Sequence, residues 1–196
     1  HLHTCSGASF FRSMLDQAIC RLLGRPTVLH MHGGRFEGFC RNAGQLTRRI
    51  IRTTCELASR FVVLSDAAAG ALRNYAGAAH ITVLPNAIAI DGATRPRQRA
   101  SGCRFLFVGE LRRAKGVFEL LDACCTLARR GVEFELVLAG PLVEGDRADW
   151  TAEIERRGLA SQVRWIGPIR GEAKRRALAE ADCLVLPSHV EAMPMV

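Results

Sequence analysis

Short, almost wholly apolar runs alternate along this chain with longer stretches that are amphipathic or dense in alanine. The runs at 28–31, 61–64, 81–84, 104–108, 134–139, 163–166 and 183–186 read as strands. Several lack polar alternation, as parallel strands covered on both faces do. Residues 9–23, 45–58, 66–75, 117–130, 147–157 and 171–181 read as helices, with Ser65 and Gly131 among the start and stop signals. Such alternation predicts an α/β fold built on doubly wound parallel sheets. One segment breaks it. Residues 91–102 (D-G-A-T-R-P-R-Q-R-A-S-G) are polar, carry Pro96 and have no periodicity, which is the composition of a linker. The expected organisation is one α/β unit over 1–90, a linker over 91–102, and a second unit over 103–196, with a cleft between the units.

Composition narrows the class. With 196 residues, 48% hydrophobic and 23% charged, the chain can bury a core as a globular protein does. No apolar run approaches the roughly 18 residues of a membrane span, and no secretory signal opens the chain. It begins His1-Leu2-His3-Thr4 without Met and ends at Val196, so both ends read as cuts in a longer protein. The eight cysteines form no C-x-x-C pair and suit scattered core positions in a reducing cytosol. Of 27 basic residues only Lys115 and Lys174 are lysine, and the net charge is +8. That surface suits nucleic acid, anionic lipid or a phosphorylated ligand, and charge alone does not choose among them.

The unusual residues fall where strands are expected to end, the edge at which open parallel sheets bind ligands. His32-Gly33-Gly34 follows 28–31, Gly140-Pro141 follows 134–139, and Gly167-Pro168 follows 163–166. The loop Gly109-Glu110-Leu111-Arg112-Arg113-Ala114-Lys115-Gly116 carries the clearest chemistry. Its glycines permit close backbone approach, the next helix offers free N–H groups to an anion, and Lys115 can meet phosphate oxygens. A solvated lysine at a loop edge is the plainer alternative, weakened by the scarcity of lysine elsewhere. Glu191, after the strand at 183–186, offers acceptors to sugar hydroxyls, or else is an exposed glutamate at a helix start. His30 and His32 flank Met31 and are read as facing opposite sides of their strand, one buried and one reaching its end. His1 and His3 form a second H-x-H, and neither pair supplies enough ligands for a metal site. His80 and His189 read as surface residues, with His189 near the cleft. The chain has no D-x-D pair for a metal on a diphosphate and no G-x-S-x-G elbow.

Taken in order, P-N-A-I (85–88), F-V-G-E-L-R-R-A-K-G (107–116), L-V-L-A-G-P (136–141), V-R-W-I-G-P-I (163–169) and A-D-C-L-V-L-P-S-H-V-E-A-M-P (181–194) resemble family 4 of the retaining glycosyltransferases. The front, with H-L-H-T-C-S-G-A-S-F and L-H-M-H-G-G-R-F, resembles members that build bacterial surface polysaccharides. The resemblance implies a GT-B fold of two Rossmann-like domains, both incomplete here, the first facing the acceptor and the second binding the nucleotide sugar. It implies that Lys115 contacts the diphosphate, Glu191 the donor sugar and His32 the donor hexose, with the segment near Ile169 packing on the base. Gly109, Arg112, Arg113 and Gly116 complete the expected donor-binding set. Glu110 departs from the pattern, since the family often has arginine there; Arg112 and Arg113 are the candidate substitutes. The second glutamate of the family's E-x7-E motif would lie beyond Val196.

The expected activity is a metal-independent, retaining transfer of a hexose from a nucleoside diphosphate sugar to a glycan or lipid-linked acceptor, with no cofactor. By family analogy the acceptor attacks from the leaving-group face and the diphosphate takes its proton, so no protein nucleophile is needed. The alternatives are a sugar-nucleotide 2-epimerase of the same fold and a non-catalytic basic binding subunit. Dispersed arginines with only 6% aromatic residues argue against nucleic acid. Residues 45–60, with Arg48, Arg49, Arg52 and Arg60 among Leu46, Ile50, Ile51 and Leu57, suggest peripheral contact with the inner, anionic face of a membrane.

Overall fold

The computed structural model describes residues 1–75, 77, 80–87, 102–142 and 150–194. The linker expected at 91–102 lies outside them except for Gly102. Two compact units form, one from His1–Ala89 with Val190–Met195, the other centred on Ile90–His189.

The first unit holds a four-stranded sheet of β1 (Leu2–Thr4), β2 (Val28–Met31), β3 (Arg60–Val63) and β4 (Ile81–Val83), all parallel and in sequence order. Right-handed crossovers between strands in that order put the connecting helices on one face. These are α1 (Ala8–Leu22), α2 (Phe36–Arg41), α3 (Gln45–Leu57) and α4 (Asp66–Leu72). Their apolar sides meet the sheet in one core of Phe10, Phe36, Cys40, Ile51, Cys55 and Leu72 against Leu29, Met31, Phe61 and Val63. Ser65 starts α4 as expected, its Oγ accepting from the Ala68 N–H at 3.3 Å.

The second unit holds β5 (Cys103–Val108), β6 (Phe134–Ala139), β7 (Val163–Trp165) and β8 (Cys183–Leu184), all parallel, in the order β7-β6-β5-β8. The chain builds outward from β5 through β6 to β7, then returns to the other side of β5. Helices α5 (Val117–Arg129) and α6 (Trp150–Arg156) therefore cover one face, where Leu121, Leu136, Leu138, Trp150 and Ile154 are buried. Helix α7 (Gly171–Glu180) covers the other through Ala177 and Leu178 against Leu106, Val137 and Ala139. This sheet is doubly wound, and the gap between β5 and β8 is its topological switch point.

Of the cysteines, Cys40, Cys55 and Cys124 are buried, and burial pushes their thiols up to about 11, about 12 and about 11. Cys5 and Cys183 are exposed, and none of the eight forms a disulfide.

The expectation that His30 and His32 face opposite sides of their strand is wrong. Residues two apart share a face of a strand, and the two rings lie 4.1 Å apart by centroid. The burial contrast does hold, since His30 is buried and His32 only partly so.

Candidate active site

At the switch point of the second unit the loops after the strands are tied backbone to backbone. Gly109 N–H donates to Ala139 O at 2.9 Å, Leu111 N–H to Pro141 O at 3.0 Å, and Gly140 N–H to Gly167 O at 2.8 Å. A side chain at Gly140 would put its Cβ 1.7 Å from the Gly109 carbonyl oxygen, so the β5 and β6 loops meet only because that residue is glycine. After Arg112 comes a single 3-10 turn, Arg113–Lys115, closed by Gly116 at φ 69°. A Cβ at Gly116 would lie 2.0 Å from the Pro187 carbonyl oxygen. Both the left-handed backbone and the close approach require glycine. His189 N–H donates to Ala114 O at 3.2 Å, completing the seam between the loop after β5 and the segment after β8.

That seam holds the start of α5, whose N-terminus takes no hydrogen bond from a capping side chain at Gly116. The helix places its positive end beside Lys115, with one first-turn N–H, that of Glu119, taken by the Glu119 carboxylate. Lys115 is half-buried. Glu119, in the first turn, is held below the usual carboxylate range by its own backbone N–H and by His189, whose Nε2 is 3.0 Å from Oε1. The Glu119–His189 contact is a part of the site that sequence reasoning missed. His189 read as a surface residue, and nothing in one sequence announces a partner 70 positions away.

The two arginines considered as substitutes at this loop have other contacts. Arg112 reaches the Glu110 carboxylate at 3.3 Å, so the glutamate standing where the family has arginine is paired. Arg113 lies over the Phe118 ring at 4.2 Å, and Phe118 packs at a tilt against Trp150 of α6, with centroids 4.8 Å apart. Ile169 is partly buried against Leu106, Val137 and Ala139.

His32 and Glu191 belong to the first unit. His32 follows β2, its N–H donating to Thr4 O at 2.9 Å, with its ring nitrogen 2.7 Å from His3. Burial, and then neighbouring His3, hold the His32 imidazole below its ordinary value. Glu191 is exposed, on a segment packed against Gly34, where an added Cβ would stand 2.8 Å from the Glu191 carbonyl carbon. Met31, Gly34, Ser65, Ala68 and Glu191 line a pocket of about 210 Å³. Asn86 anchors the same segment, donating from Nδ2 to Met193 O at 3.2 Å. Within the units, then, Gly109, Arg112, Arg113, Lys115 and Gly116 share one loop, and Glu191 borders the two glycines that follow His32.

Family models match both parts of the chain. The one described as glycosyl transferases group 1 matches residues 99–196, and that of glycosyltransferase family 4 matches residues 1–91. A glycogen synthase of Mycobacterium tuberculosis is 34% identical over 125 residues, covering 61% of this chain and 29% of the relative. The GDP-mannose:cellobiosyl-diphosphopolyprenol alpha-mannosyltransferase of Xanthomonas campestris is 26% identical over 166 residues, covering 83% and 42%. Among solved structures, Anabaena HepE in complex with UDP superposes with a TM-score of 0.71 at 17% identity, covering 95% of this chain and 53% of its own. The lipopolysaccharide outer core galactosyltransferase WaaB gives a TM-score of 0.66 at 19% identity, covering 99% and 52%. The chain thus spans about half or less of the length of these proteins. At such identities the structural likeness carries the fold, a GT-B architecture of two parallel-sheet α/β units. With family models matching both halves, the chain belongs to the group 1, family 4 glycosyltransferases.

Proposed function

We propose that the protein transfers a hexose from a nucleoside diphosphate sugar to a glycan or lipid-linked acceptor, with retention and without a metal on the diphosphate. One observation carries the reading most: the switch-point loop is locked by Gly116 against Pro187, beside the start of α5 and Lys115. Preorganised N–H groups and an ammonium aimed where charge develops lower the barrier to departure of an anionic leaving group. HepE has been solved with UDP and with UDP-glucose, and the Xanthomonas relative is named for GDP-mannose, which supports the donor class. In this proposal Lys115 and the α5 N-terminus take the diphosphate, Glu191 the donor hydroxyls, and His32 lies by the hexose. Gly109, Arg112, Arg113 and Ile169 line the nucleotide side.

Contact with an anionic membrane face remains part of the proposal, on altered grounds. In α3, Ile51 is fully buried against the sheet and only Leu46 of the four apolar residues is widely exposed, at 73%. The surface instead gains Leu15, Ile19, Leu22 and Leu23 on and beside α1, all exposed. Arg48, Arg49 and Arg52 are exposed on α3. Apolar side chains with arginines nearby are what an interfacial segment uses. No helix among the described residues is long and apolar enough to cross a membrane.

The test is a panel of UDP, GDP and ADP sugars titrated against the protein, followed by product analysis. Selective binding of one donor, transfer with the anomeric configuration kept, and no stimulation by Mg²⁺ or Mn²⁺ are expected. Conversion of the donor to its 2-epimer without an acceptor would instead mark an epimerase. Competition by DNA or heparin without any nucleotide-sugar binding would mark a basic binding subunit.

A further inference from the structure

The two H-x-H triplets that could not make a metal site separately are brought together by the first sheet. β1 and β2 are parallel neighbours with His3 opposite His30. Since alternate residues share a face, His1, His3, His30 and His32 all lie on the side opposite Leu29 and Met31, which belong to the core. Ring centroids are 4.7 Å apart for His1–His3, 5.3 Å for His1–His30 and 5.5 Å for His3–His30. His1 Nε2 is 3.2 Å from His30 Nδ1. A second, independent observation points to a ligand. His30 is 8% exposed, and its Nε2 is buried with no hydrogen-bond partner among the described residues. The ring thus meets His1 through Nδ1 and keeps a second nitrogen unsatisfied by the described residues, an unfavourable state for a buried polar atom that a bound ion or its water relieves.

One ligand nitrogen from each of His1, His3 and His30 lies within 4.8 Å of the other two. We propose that these three imidazoles form a site for a divalent late first-row metal ion of the Zn²⁺ class, with a fourth position open to water. Three nitrogen donors suit Zn²⁺ and its neighbours, whereas Mg²⁺ and Ca²⁺ take oxygen. Zn–N bonds of about 2.0–2.1 Å in a tetrahedron set the nitrogens roughly 3.3 Å apart. The exposed rings of His1 and His3 have the rotamer freedom to close that distance. His32 stacks on His3 and lies tilted against His30, so a bound ion would fix the two rings against which it rests. The inference stands independently of the donor assignment.

Calorimetric titration of the tag-free protein with Zn²⁺, and of Co²⁺ followed by visible absorption, tests it. The titrations are repeated on a form extended by a few uncharged residues before His1, which removes the terminal amine as a ligand. One equivalent should bind in both forms, and Co²⁺ should show the intense bands of four-coordination. His3→Gln, at an exposed position, should weaken binding at least tenfold, and His80→Gln should not. His30→Gln tests the buried ligand, with circular dichroism to confirm folding. Loss of binding in the extended form, unchanged affinity in His3→Gln, or only weak six-coordinate Co²⁺ bands would overturn the site.

Discussion

Lys115 sits beside the start of α5, where its charge runs against the helix dipole and Glu119 is the first-turn carboxylate. Lys115→Ala should leave the ligand-free melting temperature unchanged or slightly higher. It should weaken donor use by about 2–4 kcal/mol, the scale for one preorganised charge-stabilising contact. Lys115→Arg should recover part of that, because a planar fork does not replace a compact ammonium. Steady-state transfer and thermal melts with and without nucleoside diphosphate check all three. Near-normal transfer in Lys115→Ala would remove the residue from the site. Gly116 gives a complementary prediction. Gly116→Ala must adopt φ near 69° with its Cβ on the Pro187 carbonyl, so it should cost at least about 2 kcal/mol of stability by denaturant unfolding. At this scale the sequence was only partly legible. Lys115 and Gly116 announce themselves because lysine is scarce and the loop is glycine-flanked. The Gly116–Pro187 and Glu119–His189 contacts join distant segments, and no local pattern encodes them. The histidines show a different failure: strand periodicity alone puts His30 and His32 on one face, and the triplet was misread.

Among the elements, β5 and β6 are readable almost to the residue because each is apolar apart from one charged residue near its start, Arg104 and Glu135, and lies between helices. β1 escaped notice because it has three residues and alternates histidine with Leu2 and Thr4. Helix α2 is six residues beside glycines, too short to show a period. Where a local signal exists the structure uses it: Ser65→Ala should cost about 1 kcal/mol through loss of the α4 cap, measured by chemical denaturation. Helix α6 shows an electrostatic tie that the sequence hides. Glu153 is 7% exposed and bonds Arg157 at 2.8 Å, while Arg157 also pairs with Asp122 of α5. The hydrogen bond from Arg157, followed by the nearby guanidinium charges, holds the Glu153 carboxyl below its usual range. Its contribution is therefore present above the unfolded carboxyl value near 4.3 and is lost as pH falls through the lower folded value. Glu153→Gln should destabilise the second unit by about 1–3 kcal/mol at neutral pH. The gap from the parent should close in melts taken at successively lower pH below about 4. A gap independent of pH would show that packing, rather than charge, holds Glu153.

For the molecule as a whole, strand order does what the alternation of elements could only suggest. The second sheet reverses direction at β5, the kind of point at which open parallel sheets bind ligands, whereas the four described strands of the first run in one direction. The alternation of strand and helix predicted parallel sheets, but the order of strands within them depends on pairings that single-chain patterns do not contain. The arginine excess has a consequence at this scale too. The protein should co-sediment with anionic vesicles at low salt and release as ionic strength rises, and failure to bind would confine it to solution. The central claim is that the loop at 109–116 and the start of α5 bind the donor's diphosphate. It is tested most directly by calorimetric titration of UDP, GDP and ADP into the protein and into Lys115→Ala. The account predicts that one nucleoside diphosphate binds the parent, and that Lys115→Ala binds it at least tenfold more weakly while melting at the same temperature. Equal affinity in the two proteins, or no binding of any nucleoside diphosphate by the folded parent, would contradict it.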